Sequence, residues 1–177
     1  MTDEREQFAA YVLARRDVVR RSAYLLCGDW HFADDLVQMT FVRVGAGWRR
    51  IRDHDSVDRY VRTTLMRTYL AETRRWFRRR ERSTDTLPAV AGPSTVDDDV
   101  SRRVAVAAAL RRLTPGQRAV VVARYYLDLD VAATAEALGC STGTVKSQTS
   151  RALNALKEHL GDLRTGDEVD DVAARPA

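Results

Sequence analysis

The side chains best suited to chemistry lie in one short stretch, "TVKSQTSR", residues 144–151. Thr144, Lys146, Ser147, Gln148, Ser150 and Arg151 bring ammonium, guanidinium, amide and hydroxyl groups, with no acid among them. Val145, Thr149, Ala152 and Leu156 recur at spacings of four, three and four, so they share the other face of one helix. An acid-free polar face over an apolar stripe suits the floor of a DNA major groove. There Arg and Lys reach guanine edges or phosphates, and Gln and Ser add hydrogen bonds. A plain helical hairpin would need the stripe but has no reason to exclude acids. A second basic stretch, "RRWFRRRER", spans residues 74–82 and holds six arginines around Trp76 and Phe77. It fits a phosphate-attracting surface, although positive charge at a helix C-terminus is favourable in itself.

Other chemistries find little support. His31, His54 and His159 are scattered, and no Ser/His/Asp or Cys/His grouping or Gly-rich phosphate loop accompanies them. Cys27 and Cys140 stand far apart and outside any C-x-x-C pair, which argues against a metal site and fits a reducing compartment. No catalytic residue, metal, cofactor or small-molecule substrate is expected. The charged start "MTDEREQF" and the lack of any long apolar run argue against a signal peptide or a membrane span. A cytoplasmic location follows as the expectation.

The elements that must hold these residues are helices throughout. Phe8, Val12, Arg15, Val19 and Ala23 define one helix, ended by Cys27-Gly28-Asp29. A second runs from about His31 to Val44 and "GAGWRR" follows as a loop. A third starts near Ser56 as N-cap, with Val57, Val61, Leu65 and Tyr69 along one face and the arginine stretch at its end. "LTPGQ" starts a later helix, with Thr114 as cap, Pro115 at the first position and Gln117 at the third. Asp130 caps a short helix to Leu138, packed through Ala132, Ala135 and Leu138. Gly139 turns the chain, and Ser141 caps a last helix to about Leu160. The class is all-α: two small helical domains joined by a flexible linker.

Charge marks the same division. Residues 1–82 carry 18 Lys+Arg against 12 Asp+Glu, and 101–160 carry nine against four. The connector 83–100, "STDTLPAVAGPSTVDDDV", has four acids and no base. Residues 161–177 have five acids and two bases and read as a disordered tail. Two basic blocks on an acidic connector suit two modules that each approach a polyanion.

The segment "GCSTGTVKSQTSRAL" resembles the −35-reading helix-turn-helix of the extracytoplasmic-function (ECF) class of bacterial sigma factors, within the sigma-70 family. "LRRLTPGQRAVVVARYYLDL" resembles the first part of the same region 4, and "ADDLVQMTFVRV" (33–44) resembles the D-x-x-D-L-x-Q-x-x-F helix of region 2. "YVRTTLMRTYLAETRR" (60–75) is similar to the −10-reading segment. The likeness covers about residues 8–160 and looks nearest to an actinobacterial, SigE-like subgroup.

That resemblance implies region 2 over 1–82, a linker over 83–100 and region 4 over 101–160. It implies a protein that binds core RNA polymerase, directs it to promoters and assists melting. Asp34, Asp35, Gln38, Met39 and Phe41 would meet the β′ clamp helices, and region 4 would meet the β flap. Trp48, Arg49, Arg52, Arg62, Arg67, Arg74 and Arg75 would serve the −10 element. Trp48 reads equally well as a core anchor. Thr144, Lys146, Ser147, Gln148, Ser150 and Arg151 would read −35. An anti-sigma factor is a further partner class common in the family. The sequence departs from the pattern where Arg67 replaces a common asparagine, Ala71 a common aspartate and Ala133 a common glutamate, so promoter sequences do not transfer from relatives. The competing expectation is a two-module regulator that binds DNA without serving as a polymerase subunit. The 33–44 pattern discriminates, because such a regulator has no use for it.

Overall fold

The computed structural model describes the backbone of residues 2–51, 54–80 and 98–173, with side chains described within 4–51, 57–75, 78 and 104–160. Helix α1 (Thr2–Cys27) and α2 (Trp30–Gly47) are joined by a turn in which Asp29 caps α2 by accepting from Phe32 N at 2.7 Å. A 3₁₀ turn, Trp48–Arg50, leads towards α3 (His54–Arg80). Then come α4 (Asp98–Arg112), α5 (Pro115–Val121), a π turn (Val122–Tyr126), α6 (Val131–Leu138) and α7 (Thr142–Ala173). All regular structure among the described residues is helical.

Several boundaries differ from the sequence expectation. Helix α2 continues through Gly45-Ala46-Gly47 rather than ending at Val44. Glycine is a poor helix former, but here its missing side chain lets neighbours come close. A Cβ on Gly45 would lie 3.1 Å from the Phe8 ring of α1, and one on Gly47 3.2 Å from the Tyr60 hydroxyl of α3. Helix α3 begins at His54, so Ser56 lies inside its first turn rather than capping it. Helix α4 starts at Asp98, within the expected linker, while 81–97 lie outside the described residues. Helix α7 runs on to Ala173, past the expected end at Leu160 and through most of the expected tail. Gly161 and Gly166 weaken a helix by only about 1 kcal/mol each relative to alanine, and the first proline after them is Pro176.

The expected stripes do pack. Val19 and Ala23 of α1, Val57, Val61, Leu65 and Tyr69 of α3, and Leu36, Val37 and Val44 of α2 are buried together. Leu110, Leu113, Val122, Leu127 and Leu129 from the second half join the same core. Arg43 donates to Thr68 Oγ1 at 2.6 Å and ties α2 to α3, while Tyr11 donates to Asp58 Oδ1 at 2.6 Å and ties α1 to α3. Burial and then the Asp58 carboxylate push the Tyr11 hydroxyl well above its ordinary range.

One residue clasps the two halves. Arg118 on α5 donates to the carbonyls of Leu110 (2.8 Å), Arg111 (2.8 Å) and Leu113 (3.2 Å) around the C-terminus of α4. It also donates to the carbonyl of Leu26 (2.9 Å) at the end of α1. The last carbonyls of a helix lack the intrahelical amide that earlier ones bond, and Arg118 supplies donors at two such ends. Burial lowers the Arg118 pKa, yet a guanidinium remains charged at any physiological pH. The adjacent Cys27 thiol, pushed up to about 11 mainly by burial, donates to the Asp29 carbonyl.

Candidate nucleic-acid and polymerase interface

The helix-turn-helix is built by three local devices. Asp130 caps α6, its Oδ1 accepting from Ala133 N at 2.7 Å. Gly139 closes α6 in the left-handed conformation (φ +64°), where an L side chain is strained, and Cys140 N returns to Ala135 O at 3.0 Å. Ser141 Oγ then accepts from Thr144 N at 3.0 Å and starts α7. Val145 and Ala152 are fully buried, with Thr149 and Leu156 partly so, which holds α7 against α5 and α6. Ahead of this unit, Thr114 and Gln117 form the reciprocal capping box of α5. The buried face of α6 is wider than expected. Ala133, Thr134, Ala135 and Ala137 are all enclosed, while Ala132, expected to pack, is exposed. The reason is position: α6 lies against α3 as well as α5 and α7, so its inward arc exceeds one stripe.

That packing turns Thr144, Lys146, Ser147, Ser150 and Arg151 outward, with Gln148 half-buried beside them. Two of the hydroxyls already have local partners: Thr144 shares a hydrogen bond with Ser141 (2.9 Å) and Ser147 donates to Thr144 O (3.0 Å). Lys146 and Arg151 make no ion pair among the described residues. The arrangement can therefore offer two mobile cations and several hydrogen-bond groups to an anionic surface.

The residues expected at the −10 element are less uniform. Trp48 sits inward, in tilted contact with Phe8 (5.0 Å between ring centroids) and Tyr11 (5.4 Å). It packs as a core anchor here: it is half-buried against the core, and both aromatic neighbours come from α1. Arg49 pairs with Glu4 at 2.9 Å, Arg75 with Glu72 at 3.1 Å, and Arg62 is half-buried. Arg74 is exposed, and Arg52 lies outside the described residues. Arg67 reaches across to α6, where it meets Glu136 Oε1 at 3.3 Å.

On α2, Asp35 and Gln38 are exposed and Met39 is partly buried against the core. Phe41 is only 7% exposed, so the contact expected of it is with the core and not with a partner. Asp34 is held by Arg20 of α1 through Nε (2.5 Å) and a second nitrogen (3.0 Å). That hydrogen bond keeps its carboxyl below the ordinary range. The pairing of Arg20 and the clasp by Arg118 were missed in the sequence. Each depends on which helices become neighbours, and no local spacing signals it. Among the described residues there is no group of His, Cys, Asp and Glu that would hold a metal ion, and no helix long and apolar enough to cross a membrane.

Comparison with known proteins gives consistent findings. Residues 103–156 match the family "Sigma-70, region 4". The RNA polymerase sigma-E factor of Streptomyces coelicolor is 37% identical over 158 residues, covering 87% of this chain and 86% of that protein. The ECF RNA polymerase sigma factor SigL of Mycobacterium tuberculosis is 32% identical over 149 residues, covering 82% and 84%. In fold, the chain is similar to the sigma factor RpoE of Bartonella quintana, solved with its anti-sigma factor NepR. That likeness has a TM-score of 0.70 at 24% identity, over 88% of this chain and 98% of the other.

Proposed function

The chain belongs to the ECF class of RNA polymerase sigma factors, and on that premise we propose a division of labour among its helices. As a sigma factor it binds core RNA polymerase and directs it to promoters. The bond-making chemistry of transcription belongs to the polymerase, and this chain works by positioning it in the cytoplasm. Helix α7 reads the −35 element through Lys146, Ser147, Gln148, Ser150 and Arg151, with Thr144 at its entry. The observation that carries this assignment is the acid-free outer face of residues 144–151, at the start of α7, held over buried Val145 and Ala152. Residues 101–160 act as region 4 and 1–82 as region 2, with 83–100 linking them. Arg62, Arg67, Arg74 and Arg75 on α3, with Arg49 and Arg52 before it, track the −10 strand. Asp34, Asp35 and Gln38 on α2 meet core polymerase. An anti-sigma factor is the natural antagonist, covering the polymerase-binding or DNA-reading faces.

Arg67 is paired with Glu136 in the free chain, and serving the −10 strand means exchanging that partner for phosphate. An exposed pair of this kind is worth only about 0–1 kcal/mol and is readily exchanged for phosphate. The test is transcription from a cognate promoter with Lys146→Ala and Arg151→Ala. Both variants lose −35-dependent initiation and keep core binding. Normal initiation by both would remove α7 from the reading role.

A further inference from the structure

Within a block of net positive charge, one ridge is different. Residues 29–42 hold three aspartates, Asp29, Asp34 and Asp35, and no lysine or arginine. Even with Asp34 paired to Arg20, such a face offers little to hold a polyanion and suits a protein partner better than DNA. Its two ends carry large apolar groups facing water: Trp30 is 42% exposed and Val42 72% exposed. At about 1.5 Å per residue they stand roughly 18 Å apart along α2. At about 100° per residue, Val42, Gln38 and Asp35 lie within roughly 60° of one another, and Asp34 and Trp30 form the shoulder towards α1.

Trp30 is not loose. Its ring stacks on Tyr24 with centroids 4.0 Å apart and planes 12° apart. The Arg20 guanidinium lies 4.4 Å from the Trp30 ring centroid and at the same time holds Asp34. Arg20 thus fixes the apolar end and the acidic middle of the ridge in one geometry. A rigid aromatic, set in place before contact and left half open to water, is the type of group that dominates binding energy at protein interfaces.

We propose that Trp30 and Val42 are the two apolar anchors of the core-polymerase contact, and that Arg20 positions Trp30 and Asp34 for it. The inference rests on the assignment of α2 to core polymerase and extends it to residues outside the family pattern. It also replaces Phe41, which is buried, with Val42 one position on. The partner surface is correspondingly a helix-sized face with a basic or amide centre and apolar positions about 18 Å apart.

The experiment is equilibrium binding of the full chain, fluorescently labelled, to purified core RNA polymerase. Trp30→Ala and Val42→Asp should each weaken binding at least about tenfold, the scale of an interface anchor. Trp30→Phe keeps a stacked ring and should restore most of it. Arg20→Gln should weaken binding by a smaller factor, and adding Trp30→Ala to it should cost less than in the wild-type background, because the two act through one stack. Nonspecific duplex binding and thermal midpoint, measured in parallel, should not move for Val42→Asp. If Asp35→Ala and Gln38→Ala weaken core binding while Trp30→Ala and Val42→Asp stay within about twofold, the anchors are wrong and the assignment of α2 stands. If none of the four changes matters, the assignment of α2 falls with them.

Discussion

Arg118→Met tests the clasp between the halves. The substitution keeps a long apolar stem and removes four donor contacts at 2.8, 2.8, 2.9 and 3.2 Å. A hydrogen bond from a charged donor is worth about 1.5–3 kcal/mol net, but these four share one guanidinium and its single desolvation cost. Water can reach some of the freed helix-end carbonyls, and methionine avoids burying a charge. A loss of about 3 kcal/mol is therefore expected, against the roughly 5–15 kcal/mol typical of whole domains. At about 2–4 °C per kcal/mol for a chain of this size, the thermal midpoint should fall by roughly 6–12 °C. Circular dichroism at 222 nm during heating and in urea measures both quantities. Arg118→Lys keeps the charge but not the fork, and should lose an intermediate amount. The internal control is Glu136→Ala, which removes an exposed pair and should change stability by at most about 1 kcal/mol. If Arg118→Met costs less than about 1 kcal/mol, or no more than Glu136→Ala, the clasp does not hold the halves together.

Three further outcomes are expected. Arg151→Ala and Lys146→Ala should each lower the dependence of DNA affinity on salt by about one counterion if they touch phosphate; a relaxed base preference at one −35 position with an unchanged salt slope would instead mark a base contact. Folding raises the Cys27 thiol to about 11, so its neutral form contributes stability in full below the unfolded thiol pKa of about 8.5, and this is lost as pH rises towards 11. Urea midpoints taken across pH 8 to 11 should show a smaller alkaline loss in Cys27→Ala than in the wild type. Removing residues 161–177, which carry five acids and two bases, should tighten nonspecific duplex binding at low salt, whereas equal affinities across a salt titration would exclude a moderating role for that segment.

What the sequence made legible was what is decided within a few residues. The caps at Thr114, Asp130 and Ser141 and the turn at Gly139 are short-range devices, and each forms with the partner its spacing implies. The apolar stripes on α1, α3 and α7 likewise become core. Gly45 and Gly47 misled because glycine marks either a turn or a close approach, and only the positions of Phe8 and Tyr60 decide between them. Trp48 was ambiguous, and Phe41 was expected at a partner, for the same reason: an aromatic can face a partner or the core, and the neighbouring helix determines which. The acid-free face of residues 144–151 was legible as a surface because its opposite face was so regular. Arg118 looked like one basic residue among many, and only the meeting of two helix ends, those of α1 and α4, gives it a role.

The central role proposed for this chain is that of a promoter-selecting subunit of polymerase. Transcription in vitro on genomic DNA, using purified core polymerase with and without the full chain and mapping every start, tests that directly. Starts present only with the chain, preceded by a shared pair of elements near −35 and −10, are the predicted result. Identical starts with and without it, from a chain that binds DNA but never joins the polymerase, would contradict the account and favour a separate DNA-binding regulator.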